Sequence, residues 1–149
     1  MKKILLLSVA ILTAMTLVFA SCDKSDDVDA SKVPQVVLDA FKAKYNATLV
    51  QWEKENGGLY KAEFRDEKGR EVEAYFKKDG DWVKTETDLY LTDLPENIKS
   101  VVDTNWPDWA IDDVDFIELP DYNFYLIELE KLNSRDLHIR ITPDGTILE

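Results

Sequence analysis

Carboxylates are the side chains in this chain best placed by number to do chemistry. There are 30 Asp and Glu against 18 Lys and Arg, a formal charge of −12. Beyond the N-terminal region the densest run is Asp112-Asp113-Val114-Asp115. On a strand, residues two apart share a face, so Asp113 and Asp115 could approach one cation. Calcium asks for about six to eight oxygens, and no segment has the glycine and closing glutamate of an EF-hand loop. A solvated strand start is the plainer account of the cluster. Glu53, Glu55, Glu63, Glu71 and Glu73 fit the exposed phase of strands. His138 is the single histidine and alternates with Leu137 and Ile139, which places it on the surface of a strand. Zinc sites need several Cys or His ligands. Neither a glycine–serine elbow nor a phosphate-cradling glycine loop is present. The sequence therefore assigns no catalytic residue, no metal and no cofactor.

The one cysteine has a different chemistry available to it. Met1-Lys2-Lys3 is a cationic start, Ile4 to Phe19 is an almost unbroken apolar run, and Phe19-Ala20-Ser21-Cys22 follows. This is the layout of an export signal. A cysteine at the cleavage junction makes it resemble a bacterial lipoprotein signal, with residues 1–21 removed and Cys22 lipidated; Phe19 stands where leucine is usual. The run is shorter than the roughly 20 apolar residues a spanning helix needs. Residues 22–32 are polar and acidic and read as a flexible tether. An acidic run behind the lipidated cysteine resembles the surface-export signal of Bacteroidetes lipoproteins. The expected location is the cell envelope, as an outer-membrane lipoprotein that is surface-exposed or periplasm-facing.

Loss of Lys2 and Lys3 takes the charge from −12 to −14. Phosphate binding relies on clustered Lys and Arg, so nucleic acid is excluded as a partner. Acidity also opposes anionic lipid, which leaves the acyl anchor as the contact with a membrane. A lone cysteine forms no internal disulfide, so packing alone must hold the fold.

Residues 33–149 supply that packing, and they read as two similar halves, 33–90 and 94–149. Val33-Pro34 opens one and Leu94-Pro95 the other, 61 residues later. Proline near the first helical position is a helix-start signal. Val37, Phe41 and Tyr45, and then Ile98, Val102 and Trp106, recur every four residues and mark one face of a helix. Asp93 is a candidate N-cap for the second helix. Strands follow each helix. Tyr60, Ala62 and Phe64 alternate with charge, as do Val72, Ala74 and Phe76; at an offset of 65 come Tyr125, Ile127 and Leu129, then Leu137, Ile139 and Ile141. A period of two is the strand signal, and Asp79-Gly80 and Asp144-Gly145 are matching turns. The expected fold class is α+β, with two tandem helix-plus-antiparallel-hairpin units whose helices cover one sheet face and leave the other open.

Two helix-plus-hairpin units, each opened by an apolar residue and proline and closed by Asp-Gly (Asp79-Gly80-Asp81-Trp82 and Asp144-Gly145-Thr146-Ile147), resemble the PepSY-like domains of Bacteroidetes lipoproteins. Those domains are described as similar in fold to beta-lactamase inhibitor proteins. The resemblance covers residues 33–149 and the leader, and implies that fold and no enzymatic activity. It carries over no inhibitory loop residue.

Function is then expected on the open face. Outward positions in the first half are Leu59, Lys61, Glu63, Glu71, Glu73 and Tyr75. In the second they are Phe124, Leu126, Glu128, Asp136, His138 and Arg140. Phe124 and Leu126 add apolar area where the first half has charge, and apolar patches rimmed by polar groups mark interaction sites. The expected site is Phe124, Leu126, His138 and Arg140 with Tyr75 beside them, binding a protein or peptide. The alternatives are cover by the Thr85–Asp93 connection, or a glycan or small-molecule site in which Tyr75, Tyr122 and Phe124 stack on sugar rings.

Overall fold

The computed structural model describes residues 26–148. The expected export signal 1–21, the expected lipidation site Cys22 and residues 23–25 of the expected tether lie outside them. The elements run β1 (Asp26–Asp27), a 3-10 turn (Ala30–Lys32), α1 (Gln35–Lys44), β2 (Val50–Lys54), β3 (Tyr60–Arg65), β4 (Glu71–Phe76) and β5 (Trp82–Asp88). A second 3-10 turn (Leu91–Asp93) leads to α2 (Glu96–Asn105), then β6 (Ala110–Glu118), β7 (Asn123–Glu130), β8 (Leu137–Ile141) and β9 (Ile147–Leu148). The nine strands form one sheet in sequence order, each antiparallel to its neighbours. The architecture is the expected α+β class. No helix among the described residues is long and apolar enough to cross a membrane.

Both helices bury the stripe that the spacing of four defines. Val37 and Phe41 on α1, and Ile98 and Val102 on α2, are at most 4% exposed. Each helix stops at the next aromatic in that series: the N–H of Tyr45 donates to Phe41 O and that of Trp106 to Val102 O, both at 2.8 Å. Asp93 does not cap α2. Pro95 takes the N-cap position, and the Asp93 carboxylate instead accepts from Lys68 Nζ at 3.1 Å.

There are two core clusters. α1 packs with Trp52, Phe64 and Phe76 on β2–β4; α2 packs with Val114, Ile127 and Ile141 on β6–β8. The β5–β6 pairing, Thr85 with Glu118 through Asp88 with Asp115, joins the halves. Trp82–Asp88, which the sequence suggested in part as a connection, is thus a central strand and not a cover. Its inward residues Thr85 and Thr87 are buried. Burying a hydroxyl requires a partner, and Thr85 Oγ1 has two: Trp82 Nε1 donates to it at 3.0 Å, and it hydrogen-bonds Tyr45 Oη. Burial pushes the Tyr45 phenol up to about 12 against the opposing effect of that bond.

The tether is shorter than its composition suggests. Asp26 and Asp27 pair with Lys54 and Glu53 of β2. The Val28 N–H donates to Trp52 O at 2.8 Å, and Val28 packs on the first core. Asp29 accepts from Ser31 N at 2.8 Å and caps the 3-10 turn. An edge strand leaves backbone groups unpaired; β2 recruits this acidic segment to satisfy them, so residues 26–32 are structured.

Candidate binding face

The helix-free face is laid out by strand register. One row runs Glu53, Lys61, Tyr75, Lys84; the next runs Glu63, Glu73, Glu86, Ile117, Phe124. A third runs Asp88, Asp115, Leu126, Arg140, Leu148, and a fourth Asp113, Glu128, His138.

Lys61 is the hub of the first half. It is 9% exposed, with Nζ 3.0 Å from Glu53 and from Glu73, 3.6 Å from Glu63 and 4.0 Å from Glu55. Burial alone would lower its pKa; the hydrogen bonds to Glu73 and Glu53 outweigh it and hold the ammonium charged. Tyr75 donates to Glu73 Oε2 at 2.5 Å, and Lys84 Nζ sits 4.1 Å from the centre of its ring. Burial first, then Glu73 and Glu86, push the Tyr75 phenol up, so it stays a donor. Lys84 also pairs with Glu86 at 2.7 Å.

Cations thin out toward the seam. Glu71, Glu73, Glu86, Asp88, Asp113 and Asp115 line one shallow hollow of about 300 Å³. Glu71 has Arg65 at 3.3 Å, Glu73 has Lys61 and Glu86 has Lys84. Asp88, Asp113 and Asp115 have no cationic partner among the described residues. Burial, with Asp113, Glu86, Asp88 and Glu73 around it, pushes the Asp115 carboxyl up to about 7. One carboxylate trio, Glu63, Glu71 and Glu73, brings oxygens within 4.8 Å of one another, close enough to hold a metal ion. Lys61 contacts Glu63 and Glu73, and Arg65 contacts Glu71, which offsets part of that trio's charge.

The residues expected from the sequence separate into groups. Leu126 and Arg140 are register partners, and Glu128 pairs with His138, whose Nε2 lies 3.3 Å from Glu128 Oε2. Leu126 is half-buried. Phe124 differs from expectation: it is 1% exposed. It lies opposite Ile117, which is 2% exposed, and the Tyr122 ring stacks against it at 5.9 Å. These apolar groups bury one another on the open side, so Phe124 is packing and not contact surface. Tyr75 stands on β4, with β5 and β6 between it and β7. Sequence reasoning passed over Glu86 and Asp88; the alternation Lys84-Thr85-Glu86-Thr87-Asp88 was the available signal.

This chain belongs to a family described as "Putative beta-lactamase-inhibitor-like, PepSY-like", whose model matches residues 20–66 and 58–149. Solved structures agree. A DUF2874 family protein from Bacteroides ovatus ATCC 8483 is 28% identical with a TM-score of 0.71, over 78% of this chain and 84% of that one. A BLIP-like protein from Bacteroides fragilis NCTC 9343 is 28% identical with a TM-score of 0.70, over the same shares. A DUF2874 family protein from Bacteroides uniformis ATCC 8492, 22% identical with a TM-score of 0.70 over 78% and 86%, shares the fold. No curated protein matches the sequence.

Proposed function

We propose that this is a non-enzymatic, lipid-anchored envelope protein whose open sheet face binds a basic segment of a protein or peptide. One observation carries the reading: like charges face each other across that face as register partners, Asp88 with Asp115 and Asp113 with Glu128, and the three aspartates have no cationic partner among the described residues. Such pairs destabilise a sheet. A partner bringing Lys or Arg relieves the repulsion on docking, so the strain becomes affinity and charge selectivity. Leu126, half-buried beside Asp115, gives the partner an apolar ledge.

The raised pKa of Asp115 also suits an acid–base group. Here it comes from burial and from the crowding of carboxylates in a shallow hollow. A glycan platform finds less support, because Phe124 is buried and Tyr75 lies beneath Lys84. For location, the cationic start, apolar run and Cys22 support export and lipidation at the outer membrane, facing the periplasm or the surface.

The test uses peptides of alternating lysine and serine, with a glutamate–serine counterpart, measured by fluorescence anisotropy. The lysine peptide should bind, weaken with salt, and lose at least about tenfold in affinity, roughly 1.4 kcal/mol, against Asp88→Asn/Asp113→Asn/Asp115→Asn. Equal binding of the two peptides, or binding of neither, rejects a basic partner.

A further inference from the structure

We infer that the sheet end bearing the β2–β3 and β4–β5 turns is the end held against the lipid headgroups; the inference rests on lipidation of Cys22. Its basis is where the chain enters the domain. β1 pairs Asp26 with Lys54, the last residue of β2. The chain therefore joins the sheet beside the β2–β3 turn, at its outermost strand. The Val28–Trp52 bond and the packing of Val28 hold that entry in place.

Only residues 23–25 separate Cys22 from Asp26. Four Cα steps reach at most about 14 Å fully extended. A strand the length of β3, six residues, is about 20 Å long. A lipidated Cys22 lies at the headgroup level, so the tether is too short to let the near end swing away and the far end approach.

The near end is chemically suited to that position. The β2–β3 and β4–β5 turns adjoin in a hollow lined by Gly57, Gly58, Leu59, Lys77, Lys78 and Asp79. Lys54 and Lys78 are exposed and have no carboxylate partner among the described residues, while Lys77 offsets Asp81 at 3.4 Å. Glu55, Asp79 and Asp81 stand against Lys54, Lys77 and Lys78 in these turns, so this end is close to neutral in a chain of net charge −12, while the carboxylate hollow lies on the sheet face and not at this end.

The experiment uses the full lipidated protein in phosphatidylcholine–phosphatidylglycerol vesicles containing a lipid with a headgroup-level quencher. A fluorophore is placed on Asn56→Cys or Glu67→Cys, at opposite ends of β3. Quenching should be several-fold stronger at position 56, and a long glycine–serine insertion between Ser25 and Asp26 should abolish the difference. Equal or stronger quenching at 67, or a bias that survives the insertion, overturns the inference. The mass of the purified N-terminal peptide reports separately on the anchor: an unacylated Cys22 sinks the lipidation reading itself.

Discussion

Asp88 and Asp115 face each other as register partners on the open side of the β5–β6 seam, where the two halves of the sheet meet. Neither has a cationic partner among the described residues, and Asp113, Glu86 and Glu73 crowd Asp115 further. The junction is held by backbone pairing and by the inward Thr87–Phe116 row against outward repulsion.

That repulsion has a definite pH dependence. The folded pKa of Asp115 is about 7, above the ordinary carboxyl value. The folded state thus binds its proton more tightly than the unfolded chain does. Asp115 contributes no stability difference below the unfolded pKa. Between there and pH 7 the folded state carries an increasing penalty, and above about 7 that penalty is complete. Asp115→Asn should leave stability at pH 4 nearly unchanged. At pH 8 it should raise it by about 2 kcal/mol, after discounting for partial solvent exposure. Urea unfolding at both pH values checks this; an equal effect at both rejects the crowding account.

Lys61→Met removes the cation shared by Glu53, Glu63 and Glu73 and leaves them facing one another. Removing one member of a buried ion pair costs about 3–5 kcal/mol. We expect a loss near the lower end, because these carboxylates keep some solvent. The loss should shrink in molar salt, and a salt-independent loss would point to packing of the lysine stem instead. Guanidinium is unsuitable for the comparison because it is itself a salt; urea melts with and without sodium chloride separate the two.

Gly80 and Gly57 allow a controlled comparison. Both have positive φ, +93° and +85°, so alanine costs about 1 kcal/mol or more at either. At Gly57 a Cβ meets open space. At Gly80 it would stand 2.9 Å from Val36 Cγ2 and 3.0 Å from Val36 O on the first turn of α1. Gly80→Ala should therefore destabilise clearly more than Gly57→Ala in chemical denaturation. Equal losses would mean that the β4–β5 turn can lift off the helix.

Phe124→Ser is expected to cost about 3–5 kcal/mol, as for other buried aromatics, and to broaden or lose the thermal transition. Leu126→Ser should cost far less and spare folding. Only the second variant can report on binding through the open face; comparable melting temperatures for the two would contradict the burial of Phe124.

Much of this architecture was legible because its signals are local. The spacing of Val37 and Phe41, and of Ile98 and Val102, fixed the helix faces, and alternation marked β3, β4, β7 and β8. β5 escaped because its buried phase is Thr85 and Thr87, which do not read as apolar. What makes Thr85 acceptable inside is Tyr45, 40 residues away. β6 is obscured by an irregularity between Ile111 and Asp113 that shifts its phase. β1 was hidden by acidity: Asp26 and Asp27 contribute backbone pairing, to which side-chain composition is blind. The open face and the strand phases that make it were legible, but the exposure of Phe124 was not. Phe124 looked exposed by phase alone; its cover comes from Ile117 and Tyr122, across and beside the strand. The carboxylate hollow needs β4, β5 and β6 in register, and no single segment contains it.

The order β1 to β9, in which each strand's partner is the next along the chain, bears on how the protein is made. No strand waits for a distant one, so loop closure costs little entropy at each step, and local contacts favour fast folding. A chain delivered N-terminus first can assemble α1 with β2–β5 around its own core before α2 has emerged. The unfinished sheet then carries a single growing edge, β5, and the next strand to arrive is the one that belongs there.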